Sequence, residues 1–142
     1  MRAALDAAAA AAHRDEVPVG AVVAIGDRIV AMGGNAPRAT CDPTAHAEIV
    51  AIRAAAAALG RERLEDCDLW VTLEPCAMCA GAIAHARIRR LYYGADDPKG
   101  GAVAHGPRLF GQPTCHHRPE IYPGIGDGEA AALLRDFFAR RR

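Results

Sequence analysis

The run Asp68-Leu69-Trp70-Val71-Thr72-Leu73, leading straight into Glu74-Pro75-Cys76-Ala77-Met78-Cys79, restricts the possible folds more than any other stretch. Its apolar, β-prone residues predict a buried strand. The proline that follows predicts an immediate helix, because its fixed φ suits a first turn and its missing N–H is not needed there. Cys76 and Cys79 then lie on one helical face. The partial positive charge at a helix N-terminus favours thiolate over thiol. Whatever the chain folds into must therefore place two thiols where a strand hands over to a helix.

The flanking pattern alternates in the same way. Met1 to about Arg14 is alanine-rich and predicts a packing helix. Val19–Ile25 and Arg28–Met32 are β-branched runs joined by Gly26-Asp27, a two-residue hairpin signal. Gly33-Gly34-Asn35-Ala36-Pro37 is expected to end the second run and open a loop to Thr44. A helix is expected from about Thr44 to Leu59, with Gly60 ending it, and the cysteine helix runs to about His85. Arg89–Tyr93 predicts a strand closed by Gly94, and 94–119 a long loop with at most one helical turn. Glu120–Tyr122 is a short last strand, and Gly128–Arg140 an amphipathic helix with Leu133, Leu134, Phe137 and Phe138 on one face. Strands alternating with helices imply an α/β fold, a mixed sheet covered on both sides. Both cysteine and histidine segments begin at strand carboxyl ends, where such proteins bind ligands.

At 142 residues and 51% hydrophobic, the chain suits a single domain, 1–142, with its own core. Its formal net charge is zero, whereas nucleic-acid binders tend to be basic; the clusters Arg87, Arg89, Arg90 and Arg140, Arg141, Arg142 are the places where a basic strip would form. No apolar run approaches membrane-spanning length, and Met1-Arg2-Ala3 lacks the layout of a secretory signal, so a soluble cytoplasmic protein is expected. Five cysteines without an export signal argue against a disulfide framework; Cys41, Cys67 and Cys115 are expected to be unpaired packing thiols.

Two thiols are half of a metal site. His46 is the nearest partner, because Asp42-Pro43-Thr44 before it carries capping and first-turn signals. Three ligands, His46, Cys76 and Cys79, leave a fourth zinc position for water, the mark of a catalytic centre. Glu48 would then carry protons between water, substrate and departing amine. Residues i and i+2 do not face each other within a helix, so His46 and Glu48 can meet one ion only if it sits at the helix start. Two other readings stay open: a redox or simply buried Cys-x-x-Cys pair, and a structural zinc with Cys67, His85 or a later histidine as fourth ligand.

His46-Ala47-Glu48 with Pro75-Cys76-Ala77-Met78-Cys79 resembles the signature of the cytidine and deoxycytidylate deaminase superfamily. Longer strings, Glu16-Val17-Pro18-Val19-Gly20-Ala21-Val22, Asp42 to Ile49, Val71 to Cys76, Ala84 to Ile88 and Leu133 to Phe138, are similar to its tRNA-editing adenosine deaminase branch over nearly the whole chain. The resemblance implies a three-layer α/β/α fold with a mostly five-stranded sheet. It also implies one zinc ion per chain on His46, Cys76 and Cys79, with Glu48 moving the protons. The implied reaction is hydrolytic conversion of adenosine to inosine at the wobble position of a tRNA anticodon stem-loop, by a homodimer. Asn35 and the Ala47 N–H would hold the flipped nucleotide, and Asp97 would touch a sugar. Pro98, Gly100-Gly101 and a slightly long Gln112–His117 segment depart from the family pattern. Alternatives within the resemblance are a free guanine or cytosine deaminase and a noncatalytic zinc-stabilised RNA-binding subunit.

Overall fold

The computed structural model describes residues 1–142. Strands β1 (Gly20–Ile25), β2 (Arg28–Gly34), β3 (Asp68–Leu73), β4 (Arg90–Ala95) and β5 (Glu120–Tyr122) form one mixed sheet in the order β2-β1-β3-β4-β5. The β1–β2 and β1–β3 pairs are antiparallel, and β3–β4 and β4–β5 are parallel. Helices α1 (Arg2–His13) and α5 (Asp127–Ala139) cover one face. On the other lie α3 (Ala47–Leu59) and α4 (Ala77–Ala86), packed on the inward row Ala21, Val23, Leu69, Val71, Leu91 and Tyr93. This is the expected α/β sandwich of three layers.

The alanines of α1 have a packing reason. Gly20 and Gly34 are paired across β1 and β2, and a Cβ on Gly20 would collide with the Ala4 carbonyl, one on Gly34 with the Ala7 carbonyl at 2.9 Å. Small residues on both surfaces let the helix backbone lie almost on the sheet. That close seat also corrects one boundary. Gly33 and Gly34 do not break β2; they continue it, because β2 needs residues without Cβ where α1 and the Val50 side chain of α3 press on it. Gly94 likewise does not close β4, which runs on to Ala95; the glycine sits in the strand against the Thr72 carbonyl and the Ala130 side chain.

Two further differences concern helices. Pro37–Thr40 forms a one-turn helix, α2, inside the expected loop, with Pro37 in its first turn. Phe138 is exposed at 47%, so the apolar face of α5 ends at Phe137; Arg141 stacks over the Phe137 ring at 3.6 Å and seals that end. The hairpin at Gly26-Asp27, the αL stop at Gly60 (φ 65°) and a single short 3₁₀ turn at Leu109–Gly111 follow expectation. Because β3 and β4 are parallel neighbours, their carboxyl ends lie side by side, and that edge carries the site.

Candidate metal and active site

Asp42 does not cap α3 as expected. Its Oδ1 accepts from the Thr44 N–H (2.9 Å) and hydroxyl (2.7 Å), closing a turn that delivers His46 as the N-cap of a helix starting at Ala47. His46 has extended backbone, φ −68° and ψ 156°, so its side chain leaves the chain before the helical spiral begins. This removes the i, i+2 obstacle: Glu48 is in the first turn, and His46 is outside it. Cys76 is placed by the same device. It is the N-cap of α4 (φ −73°, ψ 175°), not part of its first turn, and Pro75 precedes the cap, its carbonyl accepting the Ala102 N–H at 2.9 Å. Cys79 lies one turn in and is fully buried.

The three donor atoms meet. His46 Nδ1 is 3.6 Å from Cys76 Sγ and 3.6 Å from Cys79 Sγ. Zinc bonded at about 2.3 Å to sulfur and about 2.0–2.1 Å to nitrogen in tetrahedral geometry requires a sulfur–nitrogen separation of about 3.6 Å, so the set fits the ion without rearrangement. Neither Cys67 nor His85 joins this cluster. Cys67 is buried beside Leu64 in the core, and His85 lines a groove on the outer side of α4.

Electrostatics suit metal capture. The Cys79 thiol donates to Cys76, which with His46 nearby holds Cys76 down to about 5, while that same bond and burial keep the Cys79 proton in place. An incoming cation displaces that proton. Glu48, 4% exposed, is pushed up to about 7 chiefly by burial, with the Cys76 sulfur adding to the rise. A carboxyl at that value can take and return a proton near neutral pH.

The expected substrate residues are arranged in a less direct way. Asn35 Oδ1 accepts the Ala47 N–H at 2.8 Å, so two groups expected to hold a base hold each other. The Asn35 NH₂ makes no hydrogen bond within the chain, and the side chain is half-buried. Asp97 Oδ1 accepts from the Lys99 N–H (3.2 Å) and the Gly100 N–H (2.9 Å), which makes it a turn former. The basic clusters are half spent: Arg89 forms a two-pronged pair with Asp68, Arg90 pairs with Glu120, and Arg141 with Asp15, while Arg87, Arg140 and Arg142 form no ion pair. His117 Nε2 bonds the Ile88 carbonyl (2.6 Å) and is structural. Cys41, Cys67 and Cys115 are free thiols as expected, but Cys41 is exposed and does not fill the packing role expected of it.

Two buried glutamates escaped sequence reasoning. Glu16 accepts the Ala39 N–H (2.8 Å) and so ties down the turn after Asn35. Glu74 gathers five donors from 97–105. The available signal was an acid set between apolar strands and a proline, since a carboxylate there needs hydrogen-bond partners.

Comparison with known proteins agrees with this geometry. Residues 1–95 match the cytidine and deoxycytidylate deaminase zinc-binding region. A tRNA-specific adenosine deaminase of Agrobacterium fabrum is 58% identical over 142 residues, covering 100% of this chain and 93% of the relative. A solved structure from a study of A-to-I editing by tRNA:A34 deaminases superposes with a TM-score of 0.93 at 59% identity, over 94% of this chain and 97% of that one. Guanine deaminase from Nitrosomonas europaea superposes at 0.84 with 26% identity, over 97% and 82%. The chain belongs to the cytidine and deoxycytidylate deaminase family and, within it, to the tRNA-specific adenosine deaminases.

Proposed function

We infer that this site converts adenosine to inosine at the wobble position of a tRNA anticodon, with His46, Cys76 and Cys79 holding zinc and Glu48 moving protons. The observation that carries the chemistry is the triangle of one nitrogen and two sulfurs with 3.6 Å edges beside a buried carboxylate. Zinc, when bound there, acidifies water so that hydroxide is available near neutral pH. Glu48 accepts a proton from water and delivers it to adenine N1, then takes the proton of the new C6 hydroxyl and supplies it to the 6-amino nitrogen, which leaves as ammonia as the C6 carbonyl forms. Water supplies the oxygen at C6, and atoms balance. Asn35, fixed through Oδ1 by the Ala47 N–H, presents its free NH₂ to an acceptor on the nucleotide. Asp97 keeps Oδ2 for a ribose hydroxyl, a group that separates RNA from DNA.

The Agrobacterium relative and the tRNA:A34 deaminase structure support RNA as substrate, and an unpaired loop nucleotide costs least to extrude. Two copies assemble through the outer face of α3 and α4, where Ile49, Ile52, Ala56 and Ala82 line a groove flanked by Arg53 and Arg87. The protein works in the cytoplasm, with its tRNA substrate. No helix is long and apolar enough to cross a membrane.

Purified zinc-loaded protein is incubated with an anticodon stem-loop bearing adenosine at the wobble position, and nucleosides are separated by mass. Inosine should appear while free guanine and cytosine stay intact. The Nitrosomonas likeness makes guanine the informative rival: turnover of guanine without inosine formation would overturn the tRNA reading.

A further inference from the structure

The Glu74 carboxylate lies at the carboxyl end of β3, one residue before Pro75, and its side chain is 0% exposed. No lysine or arginine neutralises it. Instead Oε2 accepts from the Asp97 N–H (2.9 Å) and His105 Nδ1 (2.8 Å), and Oε1 from the N–H groups of Val103 (3.2 Å), Ala104 (2.8 Å) and His105 (3.0 Å). Both ends of one loop therefore converge on a single carboxylate. The loop closes further on itself through Gly101 N–H to the Asp97 carbonyl (2.8 Å), and onto the metal segment through Ala102 N–H to the Pro75 carbonyl (2.9 Å). Gly101 is seated so tightly that a Cβ would meet Glu74 Cδ and lie 2.5 Å from the Asp97 carbonyl oxygen.

Sheet pairing does not need this clasp, because Leu73 and Ala95 already close the β3–β4 ladder. What the clasp holds is the exposed tip Pro98-Lys99-Gly100. Lys99 is the only lysine in the chain and forms no ion pair. It is an exposed cation on a loop tied to Pro75 of the metal segment.

We propose that Glu74 is a positioning residue for RNA: by clasping 97–105 it fixes Lys99 against the substrate's phosphate backbone and Asp97 beside its ribose. The inference rests on the proposed RNA substrate. A phosphate contact contributes affinity without reading sequence. Loss of the clasp therefore weakens binding and leaves the chemical step alone.

The test compares zinc-loaded wild type, Glu74→Gln, Lys99→Ala and the double variant on the anticodon stem-loop, with zinc content and amide hydrogen exchange measured on each. In Glu74→Gln, amides of 97 and 103–105 should exchange faster while β3 and β4 amides do not, zinc should stay at one per chain, and KM should rise about tenfold, near 1.4 kcal/mol, with kcat within about twofold. Lys99→Ala should raise KM similarly with unchanged loop exchange. The double variant should be no worse than either single, because a lysine already mispositioned has little left to lose. Additive KM effects, unchanged loop exchange, or a fall in kcat or zinc content with KM intact would each overturn the proposal. Should Glu74→Gln not fold, His105→Ala removes the side-chain donor of the clasp and must shift loop exchange and KM in the same direction; no shift overturns it too. Wild type that makes no inosine would sink the proposed function, while the exchange comparison still decides whether Glu74 holds the loop.

Discussion

The corner built by His46, Cys76 and Cys79 and the loop clasped by Glu74 hang from the same sheet edge, yet they are stabilised in opposite ways. In the corner, two ligands are N-caps with extended backbone, so rigid helices aim the donor atoms and metal supplies the last cross-link. In the loop no helix or ladder spans 97–105, and the amides of Asp97, Val103, Ala104 and His105 are satisfied by one side chain. A cap-built site is robust to changes nearby, whereas a clasp fails as a unit when its centre is altered.

Glu48→Gln should lower kcat by about 10²–10⁴ while metal analysis still finds one zinc per chain; loss of zinc would make Glu48 a ligand and break the division of roles. Cys79→Ala should do the reverse, with zinc lost first and turnover lost with it, since a ligand-poor corner no longer fits the ion. Gly101→Ala should cost about 1–3 kcal/mol in thermal unfolding, because the new Cβ meets the clasp and a backbone carbonyl. It should raise KM with zinc retained; an unchanged KM would separate the loop from substrate. Asn35→Ala should cost about 0.5–1.5 kcal/mol through the lost bond to the Ala47 N–H, with zinc content unchanged.

The smallest effect belongs to Cys67, remote from both regions and fully buried. Burial, aided by Asp66, pushes its thiol from 9.0 up to about 11. A folded-state value above the unfolded one means that stability is fully present below about 9 and declines as pH rises toward 11. Chemical denaturation across that window checks the sign, and a thiol reagent at pH 8 should label exposed Cys41 while sparing Cys67.

Much of this was legible in the residues because the signals are local. Gly26-Asp27 made its hairpin, Gly60 its αL stop, and Asp68–Leu73 its buried strand. Side-chain chemistry and helix-start signals offered His46, Cys76 and Cys79 as a ligand set among other readings, and the family motif singled it out. Boundaries were lost where a distant element pressed on the chain: Gly33, Gly34 and Gly94 look like breakers in one dimension but are strand positions under helices. Phe138 has the spacing of a core residue yet faces solvent, because α5 meets the sheet on a stripe ending at Phe137.

The residues by themselves determined which atoms are able to bind zinc and which segments become helix or strand, since donor chemistry, periodicity and turn conformation are properties of a few neighbouring residues. Only the tertiary structure decided that His46 and Cys76 serve as caps, that Asn35 answers the Ala47 amide, and that Glu74 rather than an arginine closes 97–105. A buried polar group takes whichever partner the folded chain brings within about 3 Å, and that partner is set by how strands are ordered, not by sequence distance.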